Sequence, residues 1–369
     1  MYPEVRICIH SSCTAGCIKV NQVVSGFANL IIQWQKQHGR HDLPWQNTRD
    51  PYAIWVSEIM LQQTQVTAVI GYYQRFMQRF PDIASLAAAT QDEVLQHWSG
   101  LGYYSRARNL HHAAQIMVEQ HAGQFPNRME DILALPGIGR STAAAISSFA
   151  FDHPAPILDG NVKRVFARHF LVEGWPGLPK VEKQLWQLAE SLMPQTEVIA
   201  YTQGLMDLGA TLCTRSKPRC DACPLHVSCG ALAQNKVKQL PAARPRKVLP
   251  ERSITMLLLL QGDEVMLERR PPSGIWGGLW SLPEVESGID VQGAVRERYG
   301  LETEQLPSLP LLSHTFTHFR LHITPQPLRI IGNLPRLQQS SSVMLSRDDA
   351  IGAALPTPVR KILHQLQPA

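Results

Sequence analysis

The sequence predicts an all-α domain over residues 21–235, a linker over 236–252 and a smaller α+β domain over 253–369. Three features predict it. Apolar residues recur at three and four as far as residue 212, composition turns basic and proline-rich after residue 235, and strand-like runs follow. With 369 residues, 44% of them hydrophobic, the chain can build two cores. Charged residues make up only 18%, which excludes wholesale disorder. The net charge of +5 permits a polyanionic partner without requiring one. No apolar run approaches the roughly 20 residues of a membrane span, and the start lacks the basic and apolar regions of a secretory signal. A soluble, cytoplasmic protein is expected.

Residues 1–20 have no clear period and are expected to be a disordered tail, although they carry Cys8, Cys13 and Cys17. From Asn21 the pattern becomes helical: Val23, Val24, Phe27, Leu30, Ile31 and Trp34 share one face, and Gly39 ends the segment. Helical patterns follow over 52–80, 91–98, 105–121, 141–151, 162–170, 180–192 and 196–212, separated by short loops with Pro or Gly. Pro241, Pro245 and Pro250, set among lysines and arginines, mark the linker. Residues 254–260 and 265–268 then read as strand, turn, strand. A further strand is expected over 316–323, and helices over 291–299 and 358–366.

Cys213, Cys220, Cys223 and Cys229 stand in the pattern C-x6-C-x2-C-x5-C. Four thiolates so close together hold zinc or an iron–sulfur cluster in a reducing compartment rather than form disulfides. Zinc sites usually pair two C-x2-C knuckles; the single knuckle and uneven spacing favour a [4Fe–4S] cluster. Arg215, Lys217 and Arg219 fall in the first cysteine loop, where a pinned backbone would present them to phosphates. Leu135-Pro136-Gly137-Ile138-Gly139 joins two helical segments. Gly137 and Gly139 permit a sharp turn and close backbone approach, and the following helix start offers amides to a phosphate. This is a helix–hairpin–helix arrangement. Eighteen residues after Ser141, Asp159 precedes another helix, on which Arg164 and Arg168 follow. A helix N-cap is the ordinary role for such an Asp; a catalytic carboxylate beside DNA is the sharper one.

Helix–hairpin–helix, a downstream Asp and this cysteine spacing together resemble the endonuclease III superfamily of base-excision glycosylases. Three segments are similar to its MutY-type adenine DNA glycosylase branch: Leu43-Pro44-Trp45 with residues 55–66, residues 100–110, and residues 157–164. The resemblance spans about residues 21–369. Members that also cut the backbone carry a lysine two residues after the second hairpin glycine, where it forms a Schiff base. Ser141 occupies that position here, so the resemblance implies a monofunctional glycosylase.

The resemblance also implies roles. Glu58 is the expected general acid at adenine N7 and later the base that activates water; it needs an apolar pocket, with Trp45, Ile59 and Leu61 as sources. Asp159 is expected to stay ionised and stabilise the oxocarbenium ion, with Asn161 orienting the water or the carboxylate. Gln63 and Tyr103 are expected to fill the gap left by the flipped base, with Leu101 beside them. Trp45 and Gln203 are expected at the adenine. Residues 269–280 and 314–319 resemble the Nudix-like recognition domain of that family, which implies that Phe316, Thr317 and His318 inspect 8-oxoguanine. Thr317 replaces the family's usual serine and keeps its hydroxyl. The segment around Glu297 has too few acids for Nudix magnesium chemistry. The implied partner is double-stranded DNA containing A:8-oxoguanine or A:G mispairs, bound by a monomer in a bacterial cytoplasm, at the nucleoid. A pyrimidine-lesion or bifunctional glycosylase, a non-catalytic damage sensor and a Nudix hydrolase are the alternative readings.

Overall fold

The computed structural model describes residues 20–245, 248–332 and 341–366. The expectations for residues 1–19, with Cys8, Cys13 and Cys17, lie outside the described residues. No described helix is long and apolar enough to cross a membrane.

The first two-thirds of the chain is helical: α1 (Val20–His38), α2 (Pro51–Leu61), α3 (Val66–Arg79), α4 (Ile83–Ala88), α5 (Gln91–Trp98), α6 (Ser105–Gln120), α7 (Met129–Ala134), α8 (Arg140–Phe151), α9 (Gly160–His169), α10 (Pro179–Ser191), α11 (Val198–Thr211) and the short α12 (Gly230–Ala233). The pattern read over 52–80 is two helices, not one. The chain breaks between α2 and α3, where Gln63 takes a left-handed conformation. Helix α4 has no long apolar period and was not expected; a capping box between Asp82 and Ser85 defines it.

The chain forms two compact units. Among the described residues, one comprises 20–77 and 116–245; the other comprises 78–115, 248–332 and 341–366. In the first unit, α1, α9, α10 and α11 share a core that includes Phe27, Ile31, Phe166, Leu185, Leu205 and Leu208. Helices α1 and α11 cross closely because Gly204 has no side chain: a Cβ there would meet Ile31 Cγ2 at 2.7 Å. Helix α2 is apolar almost all round and is started by Asp50, which caps the Tyr52 amide, and by Pro51 at the first turn. Glu58 is therefore the one carboxylate on an otherwise buried rod.

The second unit contains a mixed sheet of β1 (Glu251–Gln261), β2 (Glu264–Arg269), β3 (Trp280–Ser281), β4 (Glu284–Glu286), β5 (Glu302–Gln305), β6 (Leu312–Thr315), β7 (Arg320–Ile331) and β8 (Ser342–Ser346). Its spine is the parallel pair β1 and β7, in register from Glu251–Arg320 to Leu260–Arg329; the remaining pairings are antiparallel. Helices α13 (Val291–Tyr299), α14 (Arg347–Gly352) and α15 (Thr357–Gln365) accompany it. Val295 of α13 enters a core with Leu257, Leu259, Met266 and Leu328. The strand expected over 316–323 begins only at Arg320. Residues 316–319 form a tight turn between β6 and β7, closed by Phe316 N donating to Phe319 O at 2.8 Å.

In the same unit the tail holds the α5–α6 segment. Ser99 Oγ and Tyr104 Oη both donate to Leu355 O, at 3.2 and 3.3 Å, and Arg360 Nη2 donates to Ser99 Oγ at 3.0 Å. Arg108 Nη1 donates to Gly277 O at 2.6 Å.

Candidate active site

A cavity of about 760 Å³ opens in the first unit. Its walls bring together Trp45, Glu58, Ser141, Asp159, Asn161 and Gln203, six residues that lie far apart in the sequence. Leu43, Ile54, Leu61 and Val66 add apolar wall. Ile59, expected there, faces the core instead. Burial, reinforced by the charge of Asp159, pushes the Glu58 carboxyl up to about 8. Glu58 therefore keeps its proton at neutral pH.

Asp159 has the ordinary role the sequence allowed and a place on the cavity wall as well. It caps α9, accepting from Val162 N at 2.8 Å, and it lines the cavity. Burial pushes its carboxyl up as well, against the expectation of a freely ionised group. The Val162 and Asn161 amides, the Arg164 charge and the Asn161 side chain oppose that shift. With those donors around it, Asp159 is the better seat for the negative charge of the pair, and Glu58 for the proton.

Ser141 does more than lack an amine. Its hydroxyl oxygen accepts from Leu158 N at 3.0 Å, tying the start of α8 to the residue before Asp159. Gly137 takes a positive φ of 81°, and Gly139 starts α8 with no side-chain cap and open space where a Cβ would be. The amides of that helix start are thus open to a ligand. Gly209, which sequence reading passed over, sits against Asn161; a Cβ there would meet Asn161 Cβ at 2.5 Å.

Behind Gln203 lies Asp207, also missed. Its side chain is 0% exposed and accepts from Arg40 N at 2.8 Å, Arg40 Nε at 2.7 Å and Gln203 Nε2 at 2.8 Å. The signal was available: Gln203 and Asp207 stand four apart on α11, on the same helix face.

Gln63, in the α2–α3 loop, is exposed and has a φ of 57°. In the second unit, Tyr103 has a φ of 50° and is 46% exposed. Non-glycine residues held in that region store local strain, a common mark of functional loops. Leu101 differs: at 8% exposure it packs as a core residue and does not project.

The cysteine segment follows α11. Cys220 opens a short 3-10 turn and Cys229 caps α12. Burial pushes the Cys223 thiol up to about 11, and the thiols of Cys213, Cys229 and Cys220 push in the same direction. The same mutual effect reaches Cys220 and Cys229, so all four sulfurs share one locality. Among the described residues, no His, Cys, Asp or Glu group is arranged to hold a single metal ion. Four grouped thiols with a cation beside them suit an anionic cluster bound to thiolates. Arg168 supplies that cation, with Nη1 3.3 Å from Cys213 Sγ. Arg164 and Arg168, on the helix after Asp159, both turn inward. Arg168 is 3% exposed and donates to Leu240 O and Thr214 O, each at 2.8 Å. Arg164 donates to Cys213 O at 2.7 Å and to Asn161 Oδ1 at 2.8 Å, linking the cysteine loop to the cavity wall. Arg215, Lys217 and Arg219 are exposed.

In the second unit, Trp276, His314, Phe316 and Phe319 form an aromatic wall, with Phe316 stacked on Phe319 at 4.6 Å. Thr317 and His318 project from the turn beside it. On α13, Arg298 pairs with Glu268 at 2.8 Å, and Tyr299 donates to the same carboxylate.

The hairpin and the two-part chain agree with the families that the chain matches. A model of the HhH-GPD superfamily base excision DNA repair proteins matches residues 56–191, and a NUDIX domain model matches residues 255–365. The class is therefore a helix–hairpin–helix base excision repair protein with a Nudix-like tail. An adenine DNA glycosylase of Buchnera aphidicola subsp. Acyrthosiphon pisum (strain APS) is 36% identical, over 92% of this chain and 97% of its own. One of Homo sapiens is 33% identical, over 93% of this chain and 74% of its own. The chain belongs to the adenine DNA glycosylase family. Among solved structures, a thermostable thymine-DNA glycosylase is 30% identical with a TM-score of 0.52, covering 58% of this chain and 98% of its own. A non-covalent endonuclease III–DNA complex, 21% identical with a TM-score of 0.50 over 59% of this chain and 98% of its own, shares the fold.

Proposed function

We propose that this protein, acting as a monomer, hydrolyses the N-glycosidic bond of adenine mispaired with 8-oxoguanine, or with guanine, in duplex DNA. The observation that carries the chemistry is one cavity holding two carboxylates of unequal character, Glu58 raised to about 8 and Asp159 furnished with amide donors. Adenine is a poor leaving group as an anion, so its departure needs a proton. Glu58 gives that proton to N7, and Asp159 stabilises the positive sugar that remains. Glu58 then takes a proton from the attacking water, while Asn161 orients it. The flipped adenine occupies the cavity against Trp45 and Gln203; Gln63 and Tyr103 fill the duplex. The Gly137–Gly139 hairpin and Arg215, Lys217 and Arg219 hold phosphates.

The tail reads the opposite base through Phe316, Thr317 and His318. Cys213, Cys220, Cys223 and Cys229 hold a [4Fe–4S] cluster, which when bound supplies a structural clamp on the loop between them. The family of the chain and the names of its relatives support adenine as the base. The aromatic wall with its projecting hydroxyl supports 8-oxoguanine as the opposite base.

The test uses duplexes carrying A opposite 8-oxoguanine, A opposite G, or thymine glycol, with and without alkali after incubation. Strand breaks appear only after alkali and only with the adenine duplexes. Breaks without alkali sink the monofunctional reading, and release of thymine glycol sinks the adenine reading.

A further inference from the structure

We infer that Asp207 is a positioning residue that fixes which end of the Gln203 amide faces the bound base, and so selects a 6-amino purine over a 6-oxo purine. The inference rests on the proposal that Gln203 meets the base. A carboxylate can only accept hydrogen bonds. Gln203 must therefore turn its Nε2 toward Asp207, as it does at 2.8 Å, which leaves Oε1 as the amide atom available to a ligand in the cavity. Arg40 holds Asp207 from behind through its backbone amide and its guanidinium, at 2.8 and 2.7 Å, and the carboxylate is wholly buried. Turning the amide over would set the Gln203 carbonyl oxygen against that buried carboxylate, an acceptor facing an acceptor. The cavity therefore presents a fixed acceptor. The 6-amino group of adenine donates to it. The 6-oxo group of hypoxanthine, or of guanine, meets it with a second acceptor, and a buried mismatch of that kind costs roughly tenfold to a hundredfold in rate.

The experiment compares single-turnover excision of adenine and hypoxanthine, each opposite 8-oxoguanine, by the full-length protein. The unaltered protein favours adenine by roughly a hundredfold. In Asp207→Ala no acceptor fixes the Gln203 amide, either of its ends can face the base, and the preference falls at least about tenfold. Should Asp207→Ala fail to fold, Gln203→Met provides the same readout, because it removes the acceptor while leaving Asp207 and Arg40 paired; its preference also collapses. In a Gln203→Met background that folds, adding Asp207→Ala changes the preference no further. Equal excision of both bases by the unaltered protein overturns the inference and leaves the adenine glycosylase reading intact. So does an Asp207→Ala protein that slows both bases equally, or a Gln203→Met protein with undiminished preference. A protein that excises no adenine overturns the adenine reading, and this inference with it.

Discussion

At the scale of single residues, the proton on Glu58 is the quantity to follow. Its carboxyl is raised from 4.5 to about 8, first by burial and then by the charge of Asp159. Excision should therefore fall as pH rises through about 8, where the general acid is lost, and single-turnover rates across pH will show it. The same shift has a sign for stability. The folded state binds this proton more tightly than the unfolded chain, so its stabilising effect is complete below pH 4.5 and is lost as pH rises to about 8. The slope is at most about 1.4 kcal/mol per pH unit inside that window. Glu58→Gln should abolish excision, retain DNA binding and flatten this dependence; thermal melts at several pH values check it. Gly209→Ala makes a second residue-scale prediction. Its methyl group would press on Asn161, so the substitution should slow excision by at least about tenfold and cost roughly 1–3 kcal/mol of stability. Glu58 was visible in the sequence through the resemblance of residues 55–66 to the MutY-type branch. Asp207 showed only through its four-residue spacing from Gln203, and Gly209 not at all, because its meaning depends on what α9 brings against α11.

At the scale of elements, the helices were legible wherever one face is apolar. The break between α2 and α3 was not, because the apolar pattern runs across it and only the left-handed Gln63 interrupts the rod. The turn over 316–319 was missed for a similar reason: Phe316 and Phe319 look like strand residues, yet they stack on each other across a tight turn. Local composition also hid the partner of α4–α6. Helices α4 and α5 and the first part of α6 belong to a compact unit with the tail, through contacts such as Ser99 to Leu355 that join residues more than 250 apart. Removing residues 253–369 should therefore have two effects. Discrimination between 8-oxoguanine and guanine falls, and residues 78–115 exchange their amide hydrogens faster. If that exchange is unchanged, the tail does not support the α5–α6 segment.

At the scale of the molecule, the helical half and the Nudix-like half were each recognisable from their own texture, and so were the four cysteines. What the cysteine segment touches was not. Arg164 and Arg168, which the sequence places only on the helix after Asp159, are both drawn inward by carbonyls of the cysteine segment. Cys220→Ala should lower iron and sulfide content and the melting temperature together. Arg164→Met should slow excision while leaving the iron content largely intact, because it cuts the link from Cys213 O to Asn161. Metal analysis beside single-turnover kinetics separates the two outcomes.

The hydroxyl of Ser141 has a consequence beyond the geometry of the cavity. It is committed to Leu158 N, while Lys36 on the cavity wall and Lys163 on α9 each pair with a glutamate at 2.6 Å. On the monofunctional reading proposed above, the reaction ends at an abasic deoxyribose in an unbroken strand. Such a sugar opens to an aldehyde and is itself a fragile lesion. On that reading the protein exchanges a coding error for a non-coding gap. A separate phosphodiester-cleaving activity has to follow before a polymerase can write the right base.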